Sequence, residues 1–297
     1  MRPELTQASD LLRSNTPEAI EEAIGLLQNT VYSFSMKVCG HPEDAEDNMQ
    51  EVLYRSIHHL AKLQDPRALA VWLYTVTRNR CWRMRRKSAN APQATVALDE
   101  LMPDDAELGQ LLEDAARNPE GNALHAEQSQ LLRQAVLQIP ATLRMVLVLH
   151  DMEELDTEQV ATILGLQNGT VRVRLHRARL SVRKAMARLL DAASQKQEPV
   201  KHPRKARSKI GKRPAECREL FANLSEYMDG RVQMPACDEM RAHIEGCPAC
   251  VAFLRELRSA IDRCRAIDFP CDSAVASRLR ALLTQEYLRL LGVPAIE

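Results

Sequence analysis

The stretch "EMRAHIEGCPACVAF" at residues 239–253 sets His243 one helical turn before Cys247, and Cys247 three positions before Cys250. Two thiolates on either side of Pro248-Ala249 can close on one ion from a single turn, and an imidazole one turn earlier reaches the same point. A structural zinc site takes four ligands, and Cys217 and Cys237 are the candidates for the last one. Mixed thiolate and imidazole donors suit Zn2+, although copper(I) and iron accept the same residue types. The bland alternative is a helical hairpin that buries these cysteines as apolar residues. Against it stands the small core available to this part of the chain: Leu220, Phe221, Leu224, Tyr227 and Met228 on one helix, Phe253, Leu254, Leu257 and Ile261 on another. A bound ion would add the missing cohesion. Cys39 and Cys81 have no partner at metal-binding spacing and read as structural or incidental. Cys264 and Cys271 read as helix-end residues or spare sensor thiols.

A different chemistry is written in "RNRCWRMRRK", residues 78–87, where six basic side chains surround Trp82 with no acidic residue among them. Basic groups interleaved with an aromatic ring suit phosphate contact plus stacking on an unpaired base, and Trp72 and Tyr74 lie just upstream. Trp72 falls on the apolar stripe of its helix and is expected in the core. Farther on, "DTEQVATILGLQNGTVRVRLHRARLSVRKA" begins with Asp156 and Gln159 at capping-box spacing, turns at Gly165, and anchors a second helix through Val171 and Leu175. This is a helix-turn-helix that leaves Thr170, Arg172, Val173, Arg174, Arg177 and His176 on surfaces able to enter a major groove. Early arginines can grip guanine edges bidentately, whereas Arg179, Arg183 and Lys184 would meet phosphates. The competing reading is a basic solvated helix in an unrelated bundle.

The elements that must position these groups are helices. With 45% apolar and 27% charged residues, few aromatics and no sustained alternation, the 297-residue chain is expected to be all-α and to hold more than one domain. Its 40 basic and 40 acidic residues cancel, so charge acts locally: eight carboxylates crowd residues 99–120, while none occurs between Glu158 and Asp191. One helix opens at Thr16-Pro17 with Ile20, Ile24, Leu27, Val31, Phe34 and Val38 on one stripe. A second opens at His41-Pro42 with Ala45, Met49, Val52, Leu53, Ile57 and Leu60, and a third at Asp65-Pro66. Five segments are expected: a helical domain over 16–88, an acidic linker over 89–125, the helix-turn-helix domain over 126–191, a basic tether over 192–216, and a metal-binding helical module over 217–292. No apolar run is long enough to span a membrane and no signal peptide is visible, so no membrane partner and a cytoplasmic location are expected.

Two of these stretches, "DAEDNMQEVLYRSI…WLYTVTRNRCWRMRRK" and "LGLQNGTVRVRLHRAR", resemble regions two and four of the extracytoplasmic-function sigma factors, over roughly residues 18–190. The resemblance implies a non-enzymatic subunit of bacterial RNA polymerase. By it, Asp44, Asp47, Gln50, Glu51 and Arg55 dock on core polymerase. Asn79, Arg80, Trp82, Arg83, Arg85 and Arg86 take the minus-ten element of promoter DNA, and residues 168–177, with Asn168, Thr170, Arg172, Val173, Arg174, His176 and Arg177, read the minus-thirty-five element. Gln167 and Val173 stand where many members carry hydroxyl residues, so Asn168 is the expected cap of the recognition helix. The tail, "CRELFANLSEYMDGRV…MRAHIEGCPACVAFL", resembles the zinc-containing anti-sigma domain. That resemblance favours Cys217 as the fourth ligand beside His243, Cys247 and Cys250, and implies one Zn2+. It also implies an intramolecular contact of the tail with the sigma domains, for which residues 273–292 offer Val275, Leu279, Leu282, Leu283, Leu290 and Leu291. Covalent tethering would give that contact a high effective concentration, and thiolate ligands would make it sensitive to metal or redox state. Two other classes compete: a helix-turn-helix regulator that works without polymerase, and an anti-sigma protein acting on a foreign factor.

Overall fold

A computed structural model describes residues 2–60, 62–63, 65–87, 101, 125–196, 224, 226–230, 236–271 and 273–292. Among them every assigned element is a helix. In chain order these are α1 (Pro3–Ser14), α2 (Pro17–Cys39), α3 (Pro42–Leu60), α4 (Pro66–Lys87), α5 (His125–Gln138), α6 (Ala141–Leu147), a π-helical turn (Val148–Met152), α7 (Thr157–Leu164), α8 (Asn168–Lys196), α9 (Ala236–Gly246), α10 (Pro248–Arg265) and α11 (Ala274–Leu291). No helix is long and apolar enough to cross a membrane among the described residues.

Proline opens α1, α2, α3, α4 and α10, where its missing N–H has no intrahelical partner to lose. Thr16 caps α2 by accepting from the Ala19 N–H, and Asp65 caps α4 by accepting from the Ala68 N–H at 2.9 Å. Gly40, at φ 80°, ends α2 in a left-handed turn that a side chain would strain.

The chain divides into two compact units. The first comprises residues 1–93, 148–171 and 267–297. Its core is the apolar stripe of α2 against that of α3, with Ile20, Ile24, Leu27, Val31, Phe34, Val38, Met49, Val52, Leu53 and Ile57 all buried. Helix α1, absent from the sequence-based outline, covers α2 and α4 through Leu5, Ala8 and Leu12. Helix α11 lies along α2 and α3. Its packed face differs from expectation: Ala276, Leu283, Thr284, Tyr287 and Leu288 are buried, whereas Leu282 is 64% exposed and Leu290 41%. Polar anchors set this rotation. The wholly buried Gln28 amide donates to the Ala276 carbonyl at 2.9 Å and accepts from Arg280 Nε at 3.0 Å. Gly25 leaves room for that guanidinium, since a β-carbon there would sit 3.3 Å from it. Ser273 caps α11 and donates to Glu46, and the backbone N–H of Cys271 donates to Asn29 Oδ1.

Beside this core lies a buried ionic cluster. Glu153, just past the π-helical turn, accepts from Lys37 Nζ and from the Tyr74 hydroxyl, each at 2.7 Å, and Arg2 Nε lies 3.4 Å from it. Arg2 Nε also donates to the Met152 carbonyl at 2.9 Å. The side chains of Lys37 and Glu153 are 0% and 2% exposed. Asp268 joins from the approach to α11, accepting from Ser33 Oγ at 2.6 Å. Burial pushes the Tyr74 hydroxyl well above the ordinary tyrosine range, and the neighbouring Glu153 charge adds to it. Burial likewise lowers Lys37, against the raising effect of Glu153. Burial pushes Asp268 up, but the Ser33 hydrogen bond and the Lys37 and Arg2 charges outweigh it and hold its carboxyl below the usual range.

An ion removed alone leaves its partner uncompensated in a dry site. Glu153→Ala should therefore cost about 3–5 kcal/mol in urea unfolding, whereas a Lys37→Met, Glu153→Leu double variant should recover most of the loss. A small effect of the single substitution, under about 1 kcal/mol, would show that water enters the cluster.

The second unit comprises residues 94–147 and 172–266. Its core joins Leu101 and Leu180 to Leu224, Met240, Ile244, Cys250, Phe253, Leu254, Leu257 and Ile261, with Tyr227 and Met228 packed on its edge. Leu220 and Phe221, expected in the same core, lie outside the described residues. Arg144 turns back to donate to the carbonyls of Leu137 and Ile139, satisfying the end of α5 at the Pro140 break.

Candidate nucleic-acid interface and metal centre

The polar side of α3 is open. Asp47 and Arg55 are exposed with Tyr54, while Asp44, Gln50 and Glu51 are half-buried, and Arg55 pairs with Glu51 one turn back. The segment leading into α11 touches α3 on other positions, where Ser273 donates to Glu46 and Cys271 Sγ meets Met49. On α4, Asn79, Arg80 and Trp82 are half-buried at the end of a helix whose basic residues continue to Lys87. The side chains of Arg83, Arg85 and Arg86 lie outside the described residues. Two aromatics are placed otherwise than expected. Tyr74 is wholly buried and committed to Glu153, so it offers no stacking surface. Trp72 is only half-buried and stacks on His59 with ring centroids 5.2 Å apart, because its stripe position meets the end of α3 instead of the core centre.

The helix-turn-helix entry is built from local chemistry. Asp156 Oδ1 accepts from the Gln159 N–H at 2.8 Å, and Gln159 Oε1 accepts from the Asp156 N–H at 3.1 Å, completing the capping box. Gly165, at φ 66°, ends α7, and the Leu166 N–H returns to the Ala161 carbonyl at 3.0 Å. The Val171 N–H bonds the Gln167 carbonyl at 3.1 Å, so Gln167 and not Asn168 is the residue that precedes the first turn of α8. Helix α7 also packs on α4, where the Arg78 guanidinium donates to the Ile163 carbonyl.

Within the second unit, α8 presents Arg172 and Val173 to solvent, with Val173 55% exposed, and leaves Arg174 and Arg177 half-buried. Asn168 is exposed and Thr170 half-buried. From Leu175 to Ala185 the helix is covered almost all round, and Arg179 and Arg183 meet carboxylates instead of solvent. Arg179 makes a bidentate pair with Asp229, at 2.8 and 3.1 Å. Arg183 lies 3.7 Å from Glu256 and 5.0 Å over the Phe253 ring, and Arg172 lies 3.8 Å from Glu226. Arg179 and Arg183, expected at phosphates, are thus both 3% exposed. His176 is buried as well, and neither ring nitrogen has a hydrogen-bond partner among the described residues. Burial, then the charges of Arg179 and Arg177, lower it to about 4.

Three expected ligands of the tail come together: His243, Cys247 and Cys250 place their donor atoms within 4.8 Å of one another, and Cys250 Sγ lies 3.4 Å from His243 Nε2. A tetrahedral ion with ordinary zinc bond lengths sets a thiolate and an imidazole nitrogen about 3.6 Å apart, so the spacing fits. Cys247 precedes α10, with φ −119° and ψ 100°, aiming its sulfur toward the turn that carries Cys250. Cys217 and the side chain of Cys237 lie outside the described residues. Sequence reasoning missed Lys37, Glu153, Asp229 and Glu256; only a lysine beside an apolar stripe and a carboxylate run at 151–156 hinted at the first two.

Neutral imidazole is favoured in the folded protein, so the unfolded chain, with a value near 6.5, binds the extra proton first as pH falls. The stability that His176 contributes is full above about 6.5 and lost on the way to 4, which amounts to roughly 2–3 kcal/mol between pH 7 and 4.5. Urea unfolding of a His176→Leu variant should show that part of the acid lability removed; an unchanged slope would locate the lability elsewhere. Separately, Cys250→Ser should lower zinc bound by the purified protein by about 10-fold or more and loosen α9 and α10, measured by metal analysis and hydrogen exchange.

Comparison with known proteins agrees with this geometry. The sigma-70 region 2 family matches residues 24–91, the sigma-70 region 4 family residues 129–182, and a zinc-finger family residues 217–250. The chain is 28% identical over 182 residues to a protein of Xanthomonas campestris named "Probable RNA polymerase sigma factor RfaY", covering 61% of this chain and 44% of that protein. It is 27% identical over 177 residues to the ECF RNA polymerase sigma factor SigW of Bacillus subtilis, covering 59% of this chain and 92% of that one. The ECF RNA polymerase sigma-E factor of Escherichia coli is 27% identical over 139 residues, 47% of this chain and 72% of that one. The open α3 face, the basic end of α4 and the helix-turn-helix thus fall inside sigma-70 region 2 and region 4 domains, which this chain carries ahead of a zinc-finger domain, and its relatives are ECF RNA polymerase sigma factors.

Proposed function

We propose that this chain is a promoter-specificity subunit of bacterial RNA polymerase that initiates transcription without chemistry of its own, and that its tail restrains it in cis. The observation that carries the reading is the occurrence of region 2 and region 4 matches in order on one chain. In this reading Asp44, Asp47, Gln50, Glu51 and Arg55 meet core polymerase. Asn79, Arg80, Trp82, Arg83, Arg85 and Arg86 hold the minus-ten element, and Asn168, Thr170, Arg172, Val173, Arg174 and Arg177 read the minus-thirty-five element. His176 supports the recognition helix from within and contacts a base edge only after the tail leaves. One Zn2+ held by Cys217, His243, Cys247 and Cys250 ties the module together. The zinc-finger match, which begins at Cys217, supports that fourth ligand.

Two features support restraint by the tail, and a third bears on whether the described arrangement fits a promoter. Asp229 and Glu256 occupy arginines of α8 that phosphates would otherwise meet. Helix α11 is fastened to α2 and α3 through Gln28 and Glu46. The third is a matter of length. Promoter elements 25 base pairs apart are separated by about 85 Å of duplex. Arg78 bonds Ile163, and the five residues from Ile163 to Asn168 span at most about 18 Å. The arrangement described here cannot lie on both elements together, which supports reading it as a closed state that opens on the enzyme.

Transcription from a cognate promoter, with core polymerase and full-length protein, tests the reading. An Asp229→Asn, Glu256→Gln variant should bind minus-thirty-five duplex about 10-fold more tightly than the parent at fixed salt, about 1.4 kcal/mol. Failure of the full-length protein and of this variant alike to associate with core polymerase would sink the proposal. Association with equal promoter activity in both would remove the restraint and leave the specificity role.

A further inference from the structure

Cys39 and Cys81, which show no relation in the sequence, are neighbours in the fold. Cys39 is the last residue of α2 and is partly open to solvent, while Cys81 faces it from α4 and is wholly buried. Their side chains are in hydrogen-bonding contact, and that contact, followed by burial, raises the Cys81 thiol well above its ordinary range. Cys39 is the member of the pair that solvent reaches, so a dissolved oxidant meets its sulfur first. A polar node surrounds them: Asn48 Nδ2 donates to Cys81 Sγ at 3.2 Å and to Ser35 Oγ at 2.6 Å, and Ser35 in turn donates to the Val31 carbonyl. Asn48 is 0% exposed, and its Oδ1 has no hydrogen-bond partner among the described residues. A buried amide oxygen without a donor is costly, and here it sits on the same amide group that already touches the sulfur pair.

We propose that Cys39 and Cys81 form a peroxide-responsive dithiol, separate from the zinc ligands, that closes to a disulfide joining α2 to α4. The Cys39 sulfur attacks one oxygen of a hydroperoxide, the O–O bond breaks, and a sulfenic acid forms with release of water or an alcohol. The Cys81 sulfur then attacks the Cys39 sulfur, the S–O bond breaks, and a second molecule of water leaves with the Cys81 proton. Two thiols lose two electrons and two protons in all, and the peroxide gains them. The cross-link falls one residue before Trp82, so it fixes the base of the basic end of α4 to α2. Neither polymerase nor DNA is required for the step, and it stands apart from the promoter reading.

The test uses full-length, zinc-loaded protein exposed to hydrogen peroxide, followed by blocking of free thiols under denaturing conditions, peptide mapping and parallel zinc measurement. The expected result is a disulfide-linked peptide pair joining Cys39 to Cys81, formed before zinc is released. In Cys39→Ser, loss of the Cys81 thiol should slow by about 10-fold or more, because the thiol reached by solvent is gone. In Cys81→Ser, Cys39 should stop at a sulfenic acid that dimedone traps. The proposal is overturned if both thiols of the unsubstituted protein remain open to blocking at peroxide doses that oxidise the zinc ligands, or if the linked pair appears only after zinc has left. The unsubstituted protein alone decides the matter should either variant fail to fold.

Discussion

The carboxylate of Glu153 is the constraint around which the first unit closes. It sits where water does not reach, and it is tolerable there only while Lys37, the Tyr74 hydroxyl and Arg2 converge on it. Those partners come from α2, from α4 and from the residue before α1, while Glu153 belongs to the segment leading into the helix-turn-helix. Segments far apart in sequence are thereby required to meet at one point. The net stabilisation from such a site is modest, because desolvation of the charges offsets most of their attraction. Its effect is specificity: a shifted register leaves a bare ion, so few alternative arrangements compete.

Electrostatics in the second unit have a different character. Helix α8 carries its cations with no acidic residue before Asp191, and in isolation that stretch would repel itself as well as attract phosphates. Asp229 and Glu256 relieve that repulsion by pairing with Arg179 and Arg183, and Phe253 adds an aromatic face beneath the second guanidinium. Guanidinium geometry suits carboxylate and phosphate alike, so one helix can trade one partner for the other without rebuilding its side chains. His176, beside these arginines, needs no charge of its own in the covered state and is held neutral.

Much of the helical framework was legible because its signals are local. Thr16, Asp65, Gly40, Gly165 and the Asp156–Gln159 box act within a turn, and the apolar stripes of α2 and α3 repeat at helical spacing. The triad His243, Cys247 and Cys250 was readable for the same reason, since one turn of chain contains it. What stayed hidden depends on tertiary placement. Tyr74 looked like a stacking surface because nothing nearby in sequence announces Glu153 as its acceptor. Arg179 and Arg183 looked free for phosphates because their carboxylate partners lie some 50 and 70 positions away. The rotation of α11 was misread because its leucines suggested one face, while a buried glutamine on α2 and a glycine beneath Arg280 select another. Cys39 and Cys81 appeared unrelated for want of any periodicity linking two different helices.

The position of α11 in the chain carries a timing consequence. It rests on α2 and α3, yet it is made long after them: its start at Ala274 lies 187 positions beyond the end of α4 at Lys87. At the usual pace of protein synthesis, about 5–20 residues per second, that is roughly 10–40 s of elongation. During that interval the nascent amino-terminal helices must fold with their α11-facing groove still bare. Each newly made molecule therefore passes once through a form in which α11 has not yet left the ribosome and α2 and α3 stand without it.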